Sequence, residues 1–207
     1  MSDQTRSYWE RCYGQANHKT KEFFSSGYES YVADFAKSFL PLPSRVLVLG
    51  CGGGRNVNYL YKCGYDVIGV DLALAALALA SSKARTGFIQ ADIRSLPLGN
   101  DCFDGLFCLH TIDHVCQSDA QIALNEILRV LKPQKNALIS FDSPEDSPPD
   151  GETDLMEDGT KIFKSAHCKG LIFRPYENHE ISGLVGKNLV ELFETKTKSR
   201  LAHIVKR

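Results

Sequence analysis

Val46-Leu47-Val48-Leu49-Gly50-Cys51-Gly52-Gly53-Gly54-Arg55-Asn56 is an apolar run that breaks into four glycines within five positions. A short uninterrupted apolar run bounded by glycine is the pattern of a strand buried on both faces. Glycine lets a ligand approach the backbone closely, and the helix that follows offers free N–H groups at its first turn. Strand, glycine loop and helix together predict a ligand cradle and not merely a tight turn.

Outward from this loop the same alternation repeats. The chain predicts a helix over 55–63, a strand over 66–70 that ends at Asp71, a helix over 73–84 and a short strand over 86–90. A strand over 103–109, a helix over 117–131 closed by Lys132-Pro133, and a strand over 137–141 follow. Strands alternating with helices pair in parallel through right-handed crossovers. Runs at 188–195 and 201–205 have no room for a helix between them, so they pair antiparallel. The expectation is an α/β, Rossmann-like doubly wound sheet, mostly parallel, seven-stranded, with an antiparallel last strand. Upstream, Phe24, Tyr28, Tyr31, Phe35 and Phe39 recur at steps of three and four, one face of a helix over 18–40 that Pro41 and Pro43 end.

The 207 residues suit one large α/β domain. With 24 Lys and Arg against 25 Asp and Glu, no general basic field for nucleic acid exists. No apolar run is long enough to span a membrane, and the polar start MSDQTRSYWERCYG is not a secretory signal. Seven cysteines without a CxxC pair point to reduced thiols in the cytoplasm, with no metal site. Residues 142–158 hold eight acids and three prolines without a Lys or Arg, an excursion that is either solvated surface or a flap. Residues 187–207 hold six Lys and Arg against two Glu, read as the solvated side of the last hairpin.

Three ligand classes use such a glycine loop. A nucleoside triphosphate loop needs a Lys-Ser or Lys-Thr pair, which is absent. A dinucleotide loop needs a third glycine where Arg55 stands. The third class is S-adenosylmethionine, and here the chain resembles a known family. Residues 44–141 are similar to the class I S-adenosylmethionine-dependent methyltransferases of the small-molecule, methyltransferase-11-like type. The likeness rests on Leu49 to Gly54, on Asp71 after Val67-Ile68-Gly69-Val70, on Asp92 within Ile89-Gln90-Ala91-Asp92-Ile93, on Phe103-Asp104, and on Glu126 to Pro133. The family usually carries Asp or Glu two residues before the first glycine, where this chain has Val48.

The resemblance implies S-adenosylmethionine as cofactor, held by Gly50, Cys51, Gly52, Gly54, Asp71, Leu72, Asp92, Ile93 and Leu109. A carboxylate at Asp71 has the forked acceptors for two ribose hydroxyls, and Asp92 can accept from the adenine amino group. Each is also a helix-cap or turn residue type. The resemblance puts residues 109–114 beside the reacting sulfonium, so His110, Asp113 and His114 are the candidate proton acceptors. The aromatic start of the chain, with Tyr8, Trp9, Tyr13, Tyr28 and Tyr31, predicts a substrate lid, residues 1–43, over a cofactor-binding unit, residues 44–207. The expected activity is methyl transfer to a small-molecule acceptor. The alternatives are a methyltransferase for a modified tRNA base or a protein, and a non-catalytic S-adenosylmethionine-binding module. The sequence is silent on the acceptor and on oligomeric state.

Overall fold

The structure, a computed structural model, describes residues 2–15, 27–143, 152–165, 168–195 and 199–207. The chain opens with helices α1 (Ser2–Gly14) and α2 (Ser30–Phe39). The alternating part follows as β1 (Arg45–Leu49), α3 (Arg55–Lys62), β2 (Asp66–Asp71), α4 (Leu74–Ser81), β3 (Gly87–Gln90), β4 (Phe103–Cys108), α5 (Gln117–Val130) and β5 (Leu131–Phe141). Then come β6 (Thr153–Leu155), β7 (Lys161–Phe163), β8 (Ile172–Phe173), α6 (Asn178–Val185), β9 (Leu189–Glu194) and β10 (Arg200–Val205).

Seven strands form the main sheet in the order β3-β2-β1-β4-β5-β10-β9. β3, β2, β1, β4 and β5 are parallel, while β10 runs antiparallel to both β5 and β9. The expected architecture is therefore the observed one, including the antiparallel last strand. β1 lies at its centre, and its alternate residues face opposite cores. Leu47 and Leu49 join the layer built by Ala123, Leu124 and Ile127 of α5. Val46 and Val48 join the layer built by α2 and α3, with Val57 and Leu60. Burial on both faces explains why β1 carries no polar residue after Arg45.

Four details differ from the sequence expectation. The described helix begins at Ser30, and Phe24 lies outside the described residues. Tyr28 precedes the helix, is 48% exposed, and stacks on Tyr59 at 3.8 Å. The apolar face of α2 is spent on the sheet: Val32, Phe35, Ala36 and Leu40 are buried, and Phe35 meets Phe107 edge-on at 5.6 Å. β5 starts at Leu131, earlier than expected, because pairing to β4 resumes across a bulge next to Pro133.

The acidic excursion and its sequel fold in part as a second sheet, β6-β7-β8, which the sequence did not announce. Strands of two or three residues are too short to print an alternation. This small sheet packs Phe163, Leu171 and Phe173 against Tyr8 and Trp9 of α1. Asp158 reaches back to accept the N–H of Gln117 at 3.1 Å, capping α5.

Candidate functional site

The chain runs outward from β1 to β3 and then returns to β4, so β1 and β4 flank the topological switch, where open α/β sheets bind ligands. The glycine loop leaves β1 there. Gly50, Gly52 and Gly54 all have positive φ, at 60°, 51° and 79°. At Gly54 a Cβ would stand 2.7 Å from the Ala80 Cβ, so this glycine lets α3 and α4 approach each other. Gly54 does not line the cleft. At Gly52 a Cβ would collide with the Tyr13 hydroxyl, so α1 lies directly on the loop.

Above the loop is a cleft with two lobes that share Trp9, Tyr13, Gly50, His110 and His114. The narrow lobe, about 100 Å³, is lined by Asp71, Leu72, Asp92, Ile93 and Arg94 among others. The Asp71 carboxylate is nearly buried and accepts the N–H of Gly52 at 2.8 Å and of Ala73 at 2.9 Å. It thus both ties the glycine loop to β2 and starts the turn into α4. Burial raises its pKa from the ordinary carboxylate value, and those two N–H groups pull it partly back. Asp92 is held by Arg94, whose Nε and Nη2 donate to its two oxygens at 2.9 and 2.6 Å. Arg94 also donates to Asp119 at 2.6 Å. Burial pushes Asp92 up, but the Arg94 guanidinium outweighs it and keeps the carboxyl ionised.

The wide lobe, about 520 Å³, adds Glu29, Tyr31, Val48, Cys51, Arg55, Asn56, Leu109 and Ser199. His110 stands at its rim in the left-handed region, φ 50°, with its N–H donated to Ser140 Oγ at 2.6 Å. Its Nδ1 faces Asp142 Oδ1 at 3.4 Å and its Nε2 faces the Tyr31 hydroxyl at 3.3 Å. His114 donates from Nδ1 to the Ile172 carbonyl at 2.9 Å, since a carbonyl only accepts; the other ring nitrogen is then the acceptor in the neutral ring. Burial lowers the His114 pKa, so the ring stays neutral.

The sequence candidates divide in this geometry. Gly50, Asp71, Leu72, Asp92, Ile93, Cys51, Gly52 and Leu109 all line the cleft, as do His110 and His114. Asp113 does not. It is wholly buried, with Oδ1 accepting the N–H of Asp142 at 2.9 Å and its carbonyl accepting that of Arg174 at 2.7 Å. It pins the end of β5 to the turn after β4. Of the aromatic candidates, Trp9, Tyr13 and Tyr31 reach the cleft. Tyr8 turns into the small sheet and meets Trp9 edge-on at 5.0 Å. Tyr28 stays at the surface on Tyr59.

Sequence reasoning missed Glu29, Arg55, Arg94, Asp119 and Asp142. Arg94, two residues after Asp92, is the one with a local signal, since a guanidinium at that offset can fold back on a carboxylate. Glu29 and Asp142 come from segments far apart in the chain, and only the fold brings Glu29 to the cleft and Asp142 to His110.

Comparison with known proteins agrees with this geometry. The family model described as "Methyltransferase domain" matches residues 47–139, from β1 to β5. An uncharacterised methyltransferase of Schizosaccharomyces pombe is 31% identical over 103 residues, 40% of this chain and 71% of that protein. The eEF1A lysine and N-terminal methyltransferase of Bos taurus is 24% identical over 60% of this chain, which spans 18% of that protein's length. Among solved structures, the 1,6-didemethyltoxoflavin-N1-methyltransferase of Burkholderia thailandensis, determined with S-adenosylhomocysteine, superposes with a TM-score of 0.72 at 19% identity. That match covers 100% of this chain and 90% of the other, and it establishes the likeness of fold. With the strand order, the glycine loop and the carboxylate at the end of β2, these matches place the chain in the family of class I S-adenosylmethionine-dependent methyltransferases.

Proposed function

We infer that the protein transfers a methyl group from S-adenosylmethionine to a small-molecule acceptor by in-line displacement. The observation that carries this reading is the wide lobe: a chamber of about 520 Å³ beside the glycine loop, walled by Trp9, Tyr13 and Tyr31. A walled aromatic chamber suits a compact acceptor, whereas a polymer needs an open charged groove.

The residues present fit the cofactor. The narrow lobe offers a nearly buried carboxylate, Asp71, where the two ribose hydroxyls need acceptors, with Leu72 and Ile93 as apolar walls and Asp92 toward the adenine. When bound, the cofactor supplies a methyl group on a sulfonium leaving group, already activated by its own charge. The chain's tasks are orientation, exclusion of water and removal of a proton. Trp9 and Tyr13 close the chamber and present ring faces that favour a cation. His110 is the proton acceptor in this reading. Asp142 orients the ring through Nδ1–H, which leaves Nε2, the nitrogen that faces the Tyr31 hydroxyl, to take the acceptor's proton. His114, neutral and anchored on Ile172, is part of the wall.

We assign the lid to α1, docked on the small sheet and on the glycine loop, and we count α2 with the core. Seven free cysteines support a reducing compartment such as the cytoplasm. Among the described residues no helix is long and apolar enough to cross a membrane.

The test is transfer of label from methyl-labelled S-adenosylmethionine in fractionated cell extract. The reading expects label in the small-metabolite fraction, lost with His110→Gln. Label confined to RNA or protein would overturn the acceptor class. No transfer by a protein that binds the cofactor would leave a binding module.

A further inference from the structure

The methyl-donor site has one place where its charge does not balance. The amino-acid end of S-adenosylmethionine is a zwitterion, an ammonium beside a carboxylate. The strand that leads into the glycine loop brings Val48 and Leu49 to the wide lobe, and both are buried and apolar. Among the described residues lining that lobe, the charged side chains besides the two histidines are Glu29 and Arg55. They are ion-paired with each other, and each is about one quarter exposed, Glu29 at 25% and Arg55 at 30% of the side chain.

We propose that Glu29 and Arg55 are a two-point clamp for the amino-acid end of the cofactor, Arg55 taking its carboxylate and Glu29 its ammonium, in place of a carboxylate at position 48. The inference rests on the cofactor assignment above. A zwitterion is the charge complement of this ion pair, so inserting it exchanges one half-shielded pair for two without burying net charge. A guanidinium presents a planar fork that matches a carboxylate, and a carboxylate accepts well from an ammonium.

Both groups are held for the task. Arg55 is the first residue of α3, directly after the loop. Glu29 sits in extended backbone just before α2, and its N–H is donated to Asn56 Oδ1 at 3.1 Å. The loop, the start of α3 and the start of α2 are therefore one unit at this wall. Tyr31 lies beside Glu29, and burial and then the Glu29 charge push the Tyr31 hydroxyl up, so it stays a neutral donor next to the carboxylate.

The test compares two ligands by calorimetry. S-adenosylhomocysteine carries the amino-acid end, and 5′-methylthioadenosine carries the nucleoside and thioether without it. The clamp expects Glu29→Gln and Arg55→Gln each to weaken S-adenosylhomocysteine about tenfold or more, as for a lost charge-assisted hydrogen bond, with 5′-methylthioadenosine changed less than about twofold. Arg55→Lys, which keeps charge but loses the fork, should fall between. Equal effects on both ligands, or no effect on either, would overturn the clamp. Binding of neither ligand by the unaltered protein would instead overturn the cofactor assignment. Unchanged thermal midpoints establish that the variants are folded, and retained binding of 5′-methylthioadenosine establishes the same for the site itself.

Discussion

The Glu10 carboxylate accepts the backbone N–H of Leu74 at 2.6 Å and, through its other oxygen, that of Ala75 at 3.0 Å. Helix α4 has Ala73 at its N-cap, a residue with no side-chain acceptor, so its first N–H groups need a partner from elsewhere. α1 supplies it. The contact places α1 against the start of α4, a few residues from Asp71, so α1 and the Asp71 wall meet at one junction. Glu10→Ala should cost about 1 kcal/mol of stability, the usual size of a lost cap, and should raise the KM for acceptor more than it weakens S-adenosylhomocysteine. Thermal melts and a calorimetric titration check the two parts. An unchanged midpoint would show that the cap is replaced by water.

Asp71 carries the second prediction. Asp71→Asn should weaken S-adenosylhomocysteine by about 1.5–3 kcal/mol, the range for a charge-assisted hydrogen bond. Its pH behaviour has a definite sign. Burial, partly offset by the N–H groups of Ala73 and Gly52, sets the folded carboxyl above the ordinary 3.8. The folded protein then holds this proton more tightly than the unfolded chain, so the group costs stability at neutral pH and this cost vanishes as pH falls through the raised value. Cofactor affinity runs the opposite way, because the anion is the better acceptor. Affinity should begin to fall on acidification at a higher pH than an ordinary aspartate would give, and Asp71→Asn should flatten that limb. Titrations across the acid range decide it.

The third prediction separates the two histidines. His110→Gln should lower the transfer rate by about 100-fold, the low end for a general base, with S-adenosylhomocysteine affinity unchanged. Asp142→Asn should give a smaller loss in the same direction, since it only disorients the ring. His114→Gln should act on stability, because it removes the ring packed against Trp9 at 4.9 Å and anchored to Ile172. Single-turnover rates beside thermal midpoints test all three. A rate loss confined to His114→Gln would move the proton acceptor to that residue.

The parallel strands were readable because each contains a short apolar stretch between glycine or polar breaks, and the alternation with helices dictated their direction. The cleft floor was readable for the same reason: Gly50, Asp71 and Asp92 sit at strand ends, at fixed offsets from an apolar run. The walls were not. Glu29 and Ile172 reach the cleft from two separate segments, Asp142 stands behind His110 from a third, and no local pattern announces which surface a segment will cover. The aromatic face of 28–39 shows the limit most clearly. Its period demanded burial, yet of that series only Phe35 is buried, against Phe107 of the sheet, while Tyr28 and Phe39 stay exposed, and Val32, Ala36 and Leu40 complete the buried face.

That distinction sets the last prediction, a pair of truncations. Removing residues 1–15 takes away α1, with Trp9 and Tyr13, while α2 stays on the sheet. The shortened protein should fold, bind S-adenosylhomocysteine, and lose acceptor methylation, because the aromatic wall and the exclusion of water are gone while the Asp71 wall is intact. Removing residues 1–40 also strips Val32, Phe35, Ala36 and Leu40 from the layer over Val46, Val48 and Phe107. Burial of a Val, Phe or Leu side chain contributes about 1.5–3 kcal/mol each, so three of them approach the whole stability of a domain, about 5–15 kcal/mol. This longer truncation should lose its cooperative thermal transition. Circular dichroism melts and ligand titrations on the two proteins give the answer. A cooperative fold after loss of residues 1–40 would mean that α2 covers the sheet without supporting it, and full methyl transfer after loss of residues 1–15 would mean that α1 is packing and not a lid.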